Sequence, residues 1–273
     1  MSRYSRAELV ALASQMSPRR RELLLSVNEL RLMGARQLQR RFYGHGASAQ
    51  RLARLDLAAL HDQGVLHRLQ RRIGGSRAGS SGFVYAIGSV GQRLLELESG
   101  EGTARPSSRY EPSLGFVQHA LAVSDVYVGL HEYLRSGLTL ERGTTLDFRV
   151  EQRAWRRFPD AHGGVAILKP DAELRLRREG FEDRWWLEVD RATERRAALR
   201  RQLDAYVAYY RSGQEQQRHG IFPLTAWLTT SEARAEVLRE VIAELPKDQQ
   251  RLFRVGLLSA ASPFLLSQGG GRP

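Results

Sequence analysis

A short segment rich in glycine, serine and proline divides this 273-residue chain into two parts of ordinary domain size. Residues 99–108 have the composition typical of a linker. We therefore predict an N-terminal domain over residues 1–98, a linker over 99–113, a second domain over 114–262 and a flexible tail over 263–273.

The positive charge of the chain is concentrated in its N-terminal part. The net charge is +12, and all but Lys169 and Lys247 of the 42 basic residues are arginine. Residues 1–90 contain fifteen arginines and five acidic residues, so the remainder of the chain contributes only +2. An excess of positive charge confined to one segment indicates a polyanionic partner, and we expect double-stranded DNA.

The composition excludes several other classes of protein. Cysteine is absent, which excludes disulfides, cysteine-based metal sites and cysteine nucleophiles. No apolar run suits a signal peptide or a membrane span, so we expect a cytoplasmic protein with no membrane partner. A membrane-surface protein would instead need a basic amphipathic helix with exposed apolar residues.

The N-terminal part has the pattern of a winged helix-turn-helix. Serine N-caps begin the first two predicted helices, at Ser5 and Ser17. A short third helix is predicted over Ala35–Phe42, and a fourth begins at Ser48 and ends at Gly64. We expect the fourth helix to bury Leu52, Leu55, Ala59 and Leu60.

The fourth helix and the hairpin after it are the parts expected to contact DNA. Two predicted strands, Val65–Leu69 and Phe83–Ile87, enclose a loop rich in glycine, serine and arginine, which is typical of a wing. Such a helix enters the major groove, while wing residues reach phosphates or the minor groove. The predicted DNA-binding residues are Gln50, Arg51, Arg54, Arg71, Arg72 and Arg77. The alternative is a helical domain whose hairpin mediates protein contacts.

Beyond the linker, helical and strand patterns alternate. The predicted helices and strands are Leu114–Arg135, Leu146–Trp155, Ala172–Leu176, Trp185–Val189, Thr193–Arg211, Leu224–Leu228, Ser231–Leu245 and Leu252–Leu258. Their order, α-β-β-β-α-β-α-β, predicts an α/β domain built around a mixed sheet.

A predicted hairpin in this second domain brings acidic residues together. If its turn centres on Glu179–Gly180, antiparallel pairing sets Asp171 opposite Glu188. Strand alternation places Asp190 on the same side, with Glu173 as a further candidate. Clustered carboxylates suit Mg²⁺ or Mn²⁺, which can activate water and stabilise a phosphodiester transition state. The alternative is a set of ordinary surface salt bridges with the neighbouring Arg175, Arg177 and Arg191.

The spacing of these acids is that of a known signature. Pro170-Asp171, followed after sixteen residues by Glu188-Val189-Asp190, resembles the PD-(D/E)XK nuclease signature. Over about residues 15–260, the chain more specifically resembles the replication-relaxation family of plasmid and integrative-element proteins. The residues that carry this resemblance are the winged-helix pattern, Tyr110-Glu111-Pro112, His119, Asp125, Lys169–Leu174, Leu187–Glu194, Gln202, Tyr206, Tyr209 and Tyr210.

The resemblance implies a winged helix followed by a nuclease-like α/β domain, in a protein acting in replication or DNA relaxation of a mobile element. It assigns Asp171 and Glu188 as metal ligands. Asp190 stands where the signature has lysine, and a carboxylate cannot stabilise developing negative charge as an ammonium would. Lys169 is a candidate substitute for that lysine, and Asp190 a candidate third metal ligand.

Three functions remain open on the sequence alone. The first is a DNA-binding protein of a mobile element, whose nuclease-like domain contacts DNA or partners. The second is a metal-dependent endonuclease or nickase, with Asp171, Glu188, Asp190 and Lys169 as its catalytic set. The third is a winged-helix transcriptional regulator. Expected partners are double-stranded DNA and the replication or relaxation proteins of the same element, and a homodimer is compatible with each alternative.

Overall fold

The computed structural model describes residues 4–70, 82–100, 112–137, 144–160, 163–178 and 180–267. The chain divides into two units, Met1–Val128 (unit 1) and Gly129–Pro273 (unit 2). Most of the predicted linker lies outside the described residues, so the boundaries drawn from the sequence stay predictions.

Unit 1 combines helices with a small antiparallel sheet. Its described elements are α1 (Arg6–Gln15), α2 (Pro18–Leu30), β1 (Met33–Gly34), α3 (Ala35–Phe42), α4 (Ala47–Asp62), β2 (Leu66–Arg68), β3 (Val84–Ile87), α5 (Ser89–Ser99) and the greater part of α6 (Leu114–Arg135). The strands lie in the order β1-β3-β2, and both outer strands run antiparallel to β3. The division between the two units falls within α6.

The predicted helix starts at Ser5 and Ser17 are confirmed, whereas the fourth helix begins at Ala47, after Gly46, and is not capped by Ser48. The hydroxyl of Ser5 accepts a hydrogen bond from the Glu8 amide, and the Glu8 carboxylate accepts one from the Ser5 amide, which completes a capping box. The hydroxyl of Ser17 accepts a hydrogen bond from the Arg20 amide at the start of α2. These side chains satisfy amides that a helix leaves without partners at its first turn.

The predicted buried face of α4 is confirmed for Leu60 but is wrong for Leu52 and Leu55. Its buried residues are Ala53, Leu57 and Leu60, whereas Leu52 and Leu55 are 45% and 55% exposed. The reason is a polar anchor beside the core. The carboxylate of Asp56 accepts hydrogen bonds from Arg20 at 2.6 Å and from the Tyr43 hydroxyl at 2.9 Å, which fixes the rotation of the helix.

Unit 2 is an α/β fold around a mixed five-stranded sheet. Its described elements after α6 are β4 (Thr145–Val150), β5 (Arg156–Pro159), β6 (Val165–Leu168), β7 (Ala172–Arg178), β8 (Phe181–Asp190), α7 (Arg196–Arg211), α8 (Gln214–His219), β9 (Leu224–Thr229), α9 (Glu232–Ala243), α10 (Lys247–Gln250), β10 (Phe253–Leu257) and α11 (Ala261–Ser267). The sheet order is β10-β9-β8-β7-β4. β9 is parallel to both of its neighbours, and the β7 pairs are antiparallel. The mixed sheet predicted for this part of the chain is confirmed.

Two predictions about unit 2 need correction. The strand expected over 146–155 ends at Val150, because Glu151 adopts a φ of 51° and begins a short 3-10 turn. The tail expected to be flexible over 263–273 is wrong for residues 263–267, which belong to α11 and bury Leu265 completely.

The register of the β7–β8 hairpin is the predicted one. Ala172 lies opposite Leu187, and Glu173 lies opposite Trp186. One face of β7 is therefore apolar and fully buried, as alternation requires. The other face is buried at Glu173, where residues of α7 and α9 pack around Trp186 and Trp227, but it is exposed at Arg177. Of the acids predicted on that face, Glu173, Glu188 and Asp190 are buried and Asp171 is half-buried.

Among the described residues, no helix is both long enough and apolar enough to cross a bilayer.

Candidate functional site

Two of the predicted acids, Asp171 and Glu188, come together at one end of the β7–β8 hairpin. Asp171 immediately precedes β7, and its Oδ2 accepts a hydrogen bond of 2.7 Å from the Val189 amide. Glu188 is buried on β8 and accepts a hydrogen bond of 2.6 Å from the Tyr206 hydroxyl. Burial first, and then the negative charge of Asp171, raise the pKa of the Glu188 carboxyl well above its usual range.

Helix α7 supplies the polar groups that surround this pair. Burial, followed by the charge of Glu188, raises the pKa of the Tyr206 hydroxyl well above its usual range, so the phenol stays a donor to Glu188. Gln202 lies one turn earlier on the same helix face. Its Oε1 is buried and has no hydrogen-bond partner among the described residues, while its amide nitrogen lies 3.5 Å from Glu194 Oε1.

The third predicted ligand, Asp190, is engaged by a cation from α9. The guanidinium of Arg234 donates to both carboxylate oxygens of Asp190, at 2.5 and 3.1 Å. The Thr229 hydroxyl and the Ala192 amide donate to the same carboxylate at 3.3 and 3.1 Å. Its charge is thus compensated within the protein. No group of three or more acidic or histidine side chains is arranged to hold a metal in the described part of the chain.

Glu173 belongs to a different, fully buried ionic cluster. Its Oε1 lies 2.9 Å from Arg156 and 2.8 Å from Arg175. Arg156 also pairs with Glu215, which accepts a second hydrogen bond from Tyr209 at 2.7 Å. Burial alone would lower the pKa of the Arg156 guanidinium. The negative charges of Glu173 and Glu215 outweigh this effect, so the pKa lies above its usual value. The salt-bridge alternative considered for these acids therefore holds for Glu173, but inside the core.

Lys169, the candidate substitute for the signature lysine, is exposed between β6 and β7. Its ammonium lies 4.9 Å from the centre of the Trp155 ring, a cation–π contact. The cation closest to the signature position is instead the guanidinium of Arg234, which is already bound to Asp190. Sequence reasoning missed Arg234, because 44 residues separate it from Asp190.

The donor set at Asp171 and Glu188 fits a hard divalent cation. Two carboxylates that repel one another gain from a shared positive charge, and carboxylate and amide oxygens are ligands that Mg²⁺ and Mn²⁺ prefer. The unpartnered Oε1 of Gln202 adds an oxygen of the same type on α7.

A second candidate site lies on unit 1. Gln50 and Arg54 of α4 line a cavity of about 720 Å³, together with Arg36 and Arg40 of α3. Arg51 is exposed on a neighbouring face of α4. The two α3 arginines were not among the DNA-binding residues predicted from the sequence. The predicted wing residues Arg71, Arg72 and Arg77 lie outside the described part of the chain.

Comparisons with known proteins identify one relationship. No curated protein and no solved structure matches the chain. The model of the replication-relaxation family matches residues 24–225, which is more than half of the sequence. The match extends from α2 to the start of β9 and includes both candidate sites. The chain therefore belongs to the replication-relaxation family.

Proposed function

We propose that this protein binds double-stranded DNA through unit 1, as a winged helix-turn-helix, and acts in the replication or relaxation of a mobile element. One observation carries the proposal. The elements α2-β1-α3-α4-β2-β3, with the sheet order β1-β3-β2, form a helix pair followed by an antiparallel hairpin. In helix-turn-helix proteins the second helix of the pair, which is α4 here, enters the major groove.

The charges on α4 support this assignment. Arg51 and Arg54 are exposed and form no ion pair with any residue that the structure describes. The guanidinium group can bind guanine edges in the major groove as well as backbone phosphates. Membership of the replication-relaxation family is consistent with DNA as the partner.

The test is a fluorescence-anisotropy titration of a labelled DNA duplex at several salt concentrations. We expect the logarithm of the affinity to fall steeply with the logarithm of the salt concentration, because phosphate contacts release counterions. Arg72→Ala and Arg77→Ala should each reduce the slope by about 0.9, the value for one phosphate contact. Arg201→Ala, which removes an exposed arginine of α7, should leave the slope unchanged. Absence of duplex binding at low salt would refute the proposal.

A second candidate function is a metal-dependent endonuclease or nickase of PD-(D/E)XK type in unit 2. The observation that favours it is the buried pair Asp171 and Glu188, whose mutual repulsion contributes to the raised pKa of Glu188. These two carboxylates would hold Mg²⁺ or Mn²⁺, with Tyr206 orienting Glu188. The ion would supply an activated water and charge stabilisation at the scissile phosphate.

The residue at the position of the signature lysine argues against this second candidate. Asp190 occupies it and accepts hydrogen bonds from Arg234, so no ammonium is available there. DNA binding without cleavage is therefore our first candidate. Incubation of supercoiled plasmid with Mg²⁺ or Mn²⁺ separates the two, using Asp171→Ala and Glu188→Ala as matched variants. Metal-dependent nicking that both variants lose would establish the nuclease, and its absence with the wild type would rule it out.

A further inference from the structure

The cavity on unit 1 has the chemistry of an anion site. Its volume of about 720 Å³ is within the range of ligand pockets, about 300–1,000 Å³. Arg36 and Arg40 reach it from α3, and Gln50 and Arg54 from α4. None of the described lining residues is acidic. Arginines on two sides, unopposed by a carboxylate in the wall, favour a ligand that carries negative charge.

Two of these arginines have no competing partner in the described chain. Arg36 and Arg54 are exposed and form no ion pair or hydrogen bond there. The guanidinium of each is available for bidentate binding of a phosphate group. The sequence does not indicate that these two arginines share a cavity, because 18 positions separate them. Only the packing of α3 beside α4 brings them together.

The third side of the cavity is aromatic. Phe83 and Tyr85, at the start of β3, contribute to its lining. Tyr85 is buried. The guanidinium of Arg68 lies 4.2 Å from the centre of the Phe83 ring, a cation–π contact. An apolar wall beside arginines suits a sugar-phosphate backbone, which presents the C–H groups of deoxyribose next to charged phosphates.

The position of the cavity relative to α4 fits such a backbone. Gln50, Arg54 and Leu57 follow the i, i+4, i+7 spacing of one helix face, and this face lines the cavity. Arg51 lies about a quarter-turn further around the helix. If the exposed face with Arg51 enters the major groove, the adjacent DNA strand passes over the cavity.

The remaining arginine of the cavity, Arg40, already pairs with a carboxylate of unit 1. Asp125 Oδ1 of α6 lies 3.2 Å from Arg40 Nη1, and the Asp125 side chain is 56% exposed. An exposed ion pair of this kind is weak and can be exchanged for a stronger one. Asp125 therefore acts as an internal competitor of any phosphate that binds Arg40.

We propose that this cavity binds a phosphodiester segment of the DNA backbone, with Arg36 and Arg54 as phosphate ligands and Asp125 competing for Arg40. This inference rests on the proposed DNA-binding function and adds to it a second row of contacts from α3. It also predicts that Asp125→Asn strengthens binding, whereas Arg36→Ala and Arg54→Ala weaken it.

The experiment is an anisotropy titration of the full chain with a labelled duplex over a series of salt concentrations. Arg36→Ala and Arg54→Ala should each weaken binding and reduce the salt slope by about 0.9. Asp125→Asn should tighten binding by about two- to fivefold, because it removes the carboxylate that competes with phosphate for Arg40. Arg201→Ala is the matched control for loss of one exposed arginine. Equal melting temperatures of the variants show that folding is unchanged.

The outcomes separate this inference from the proposed function. If the wild type fails to bind duplex DNA, both are wrong. If it binds, but Arg36→Ala and Arg54→Ala keep its affinity and salt slope, the cavity site alone is overturned. A direct titration with a fluorescent analogue of a nucleoside triphosphate tests the other source of phosphate. Binding of that analogue that Arg36→Ala abolishes, with DNA affinity unchanged, would likewise overturn the inference.

Discussion

The arginines that line the two candidate regions, α3 and α4 of unit 1 and the sheet of unit 2, differ in their environments. In unit 2, Arg156, Arg175 and Arg234 are paired with buried carboxylates, and Arg196 on the surface of α7 pairs with Glu240 of α9. In unit 1, the described arginines Arg36, Arg51 and Arg54 face the outside of α3 and α4 without ion pairs. The same residue type therefore forms buried ion pairs in unit 2 and leaves exposed positive charge on α3 and α4 of unit 1.

A second comparison, within unit 2, concerns the neighbouring carboxyls of Asp171 and Glu188. Asp171 and Glu188 are like charges held side by side, and Glu188 is buried. Burying carboxyls side by side costs stability, and perturbed carboxyls are typical of functional sites. The raised pKa of Glu188 singles out this pair.

The largest effect should follow from opening the buried cluster of unit 2. Arg156→Ala leaves the carboxylates of Glu173 and Glu215 buried with fewer cations, so we expect a loss of about 3–5 kcal/mol in the free energy of unfolding. Urea unfolding followed by circular dichroism measures it. The control is Arg200→Ala, which removes exposed pairs with Asp204 and Glu244 and should cost less than about 1 kcal/mol. Equal effects of the two variants would contradict the comparison.

The next effect tests the two sides of α4. Leu57→Ala removes a leucine that is 2% exposed, so it should lower the free energy of unfolding by about 2–5 kcal/mol. Leu55→Ala, on the open side at 55% exposure, should change it by less than about 0.5 kcal/mol. Thermal melts of both variants decide the matter. A larger effect of Leu55→Ala would restore the helix orientation expected from the sequence.

A smaller effect concerns what the open arginines of unit 1 recognise. Arg51→Ala should alter the preference among duplex sequences by about 1–3 kcal/mol, as expected for one lost base contact. Competition titrations with duplexes that differ at single base pairs measure this preference. Uniform weakening across all duplexes would assign Arg51 to the phosphates instead.

The smallest effect is a dependence of stability on pH. The pKa of Glu188 is higher in the folded than in the unfolded chain, so its contribution to stability is complete below the unfolded value and is lost as the pH rises through the folded value. Glu188→Gln should remove that fall, which amounts to at most about 1.4 kcal/mol per pH unit. Urea unfolding in the presence of EDTA at several pH values measures it. Glu244→Gln should act in the opposite direction, because Arg196 lowers the pKa of Glu244.

Local patterns in the sequence predicted much of this fold. The bounds of α3 and α6 coincide with the predicted ones, because the apolar spacing of both helices is regular. The β7–β8 register followed from a glycine turn and strict alternation. That register is sufficient to place Asp171 beside the strand that carries Glu188, so this pair could be predicted from local pattern alone.

Contacts between distant segments explain what the sequence did not predict. The rotation of α4 depends on Asp56 binding Arg20, 36 positions away. Apolar spacing alone favoured Leu52 and Leu55 as buried residues. The partners of Asp190 and Glu173 come from α9 and from β5. Arginine is so frequent in this chain that no spacing singles out the one that pairs with a given acid.

The link between Asp190 and Arg234 limits how the chain can be shortened. The family match ends at residue 225, before α9 begins, so a fragment trimmed to that match would lose Arg234 together with β10. Asp190 would then keep its carboxylate beside the end of β8 with no cation to bind it. Any attempt to produce unit 2 by itself should therefore retain the chain through α11, whose Leu265 closes the core.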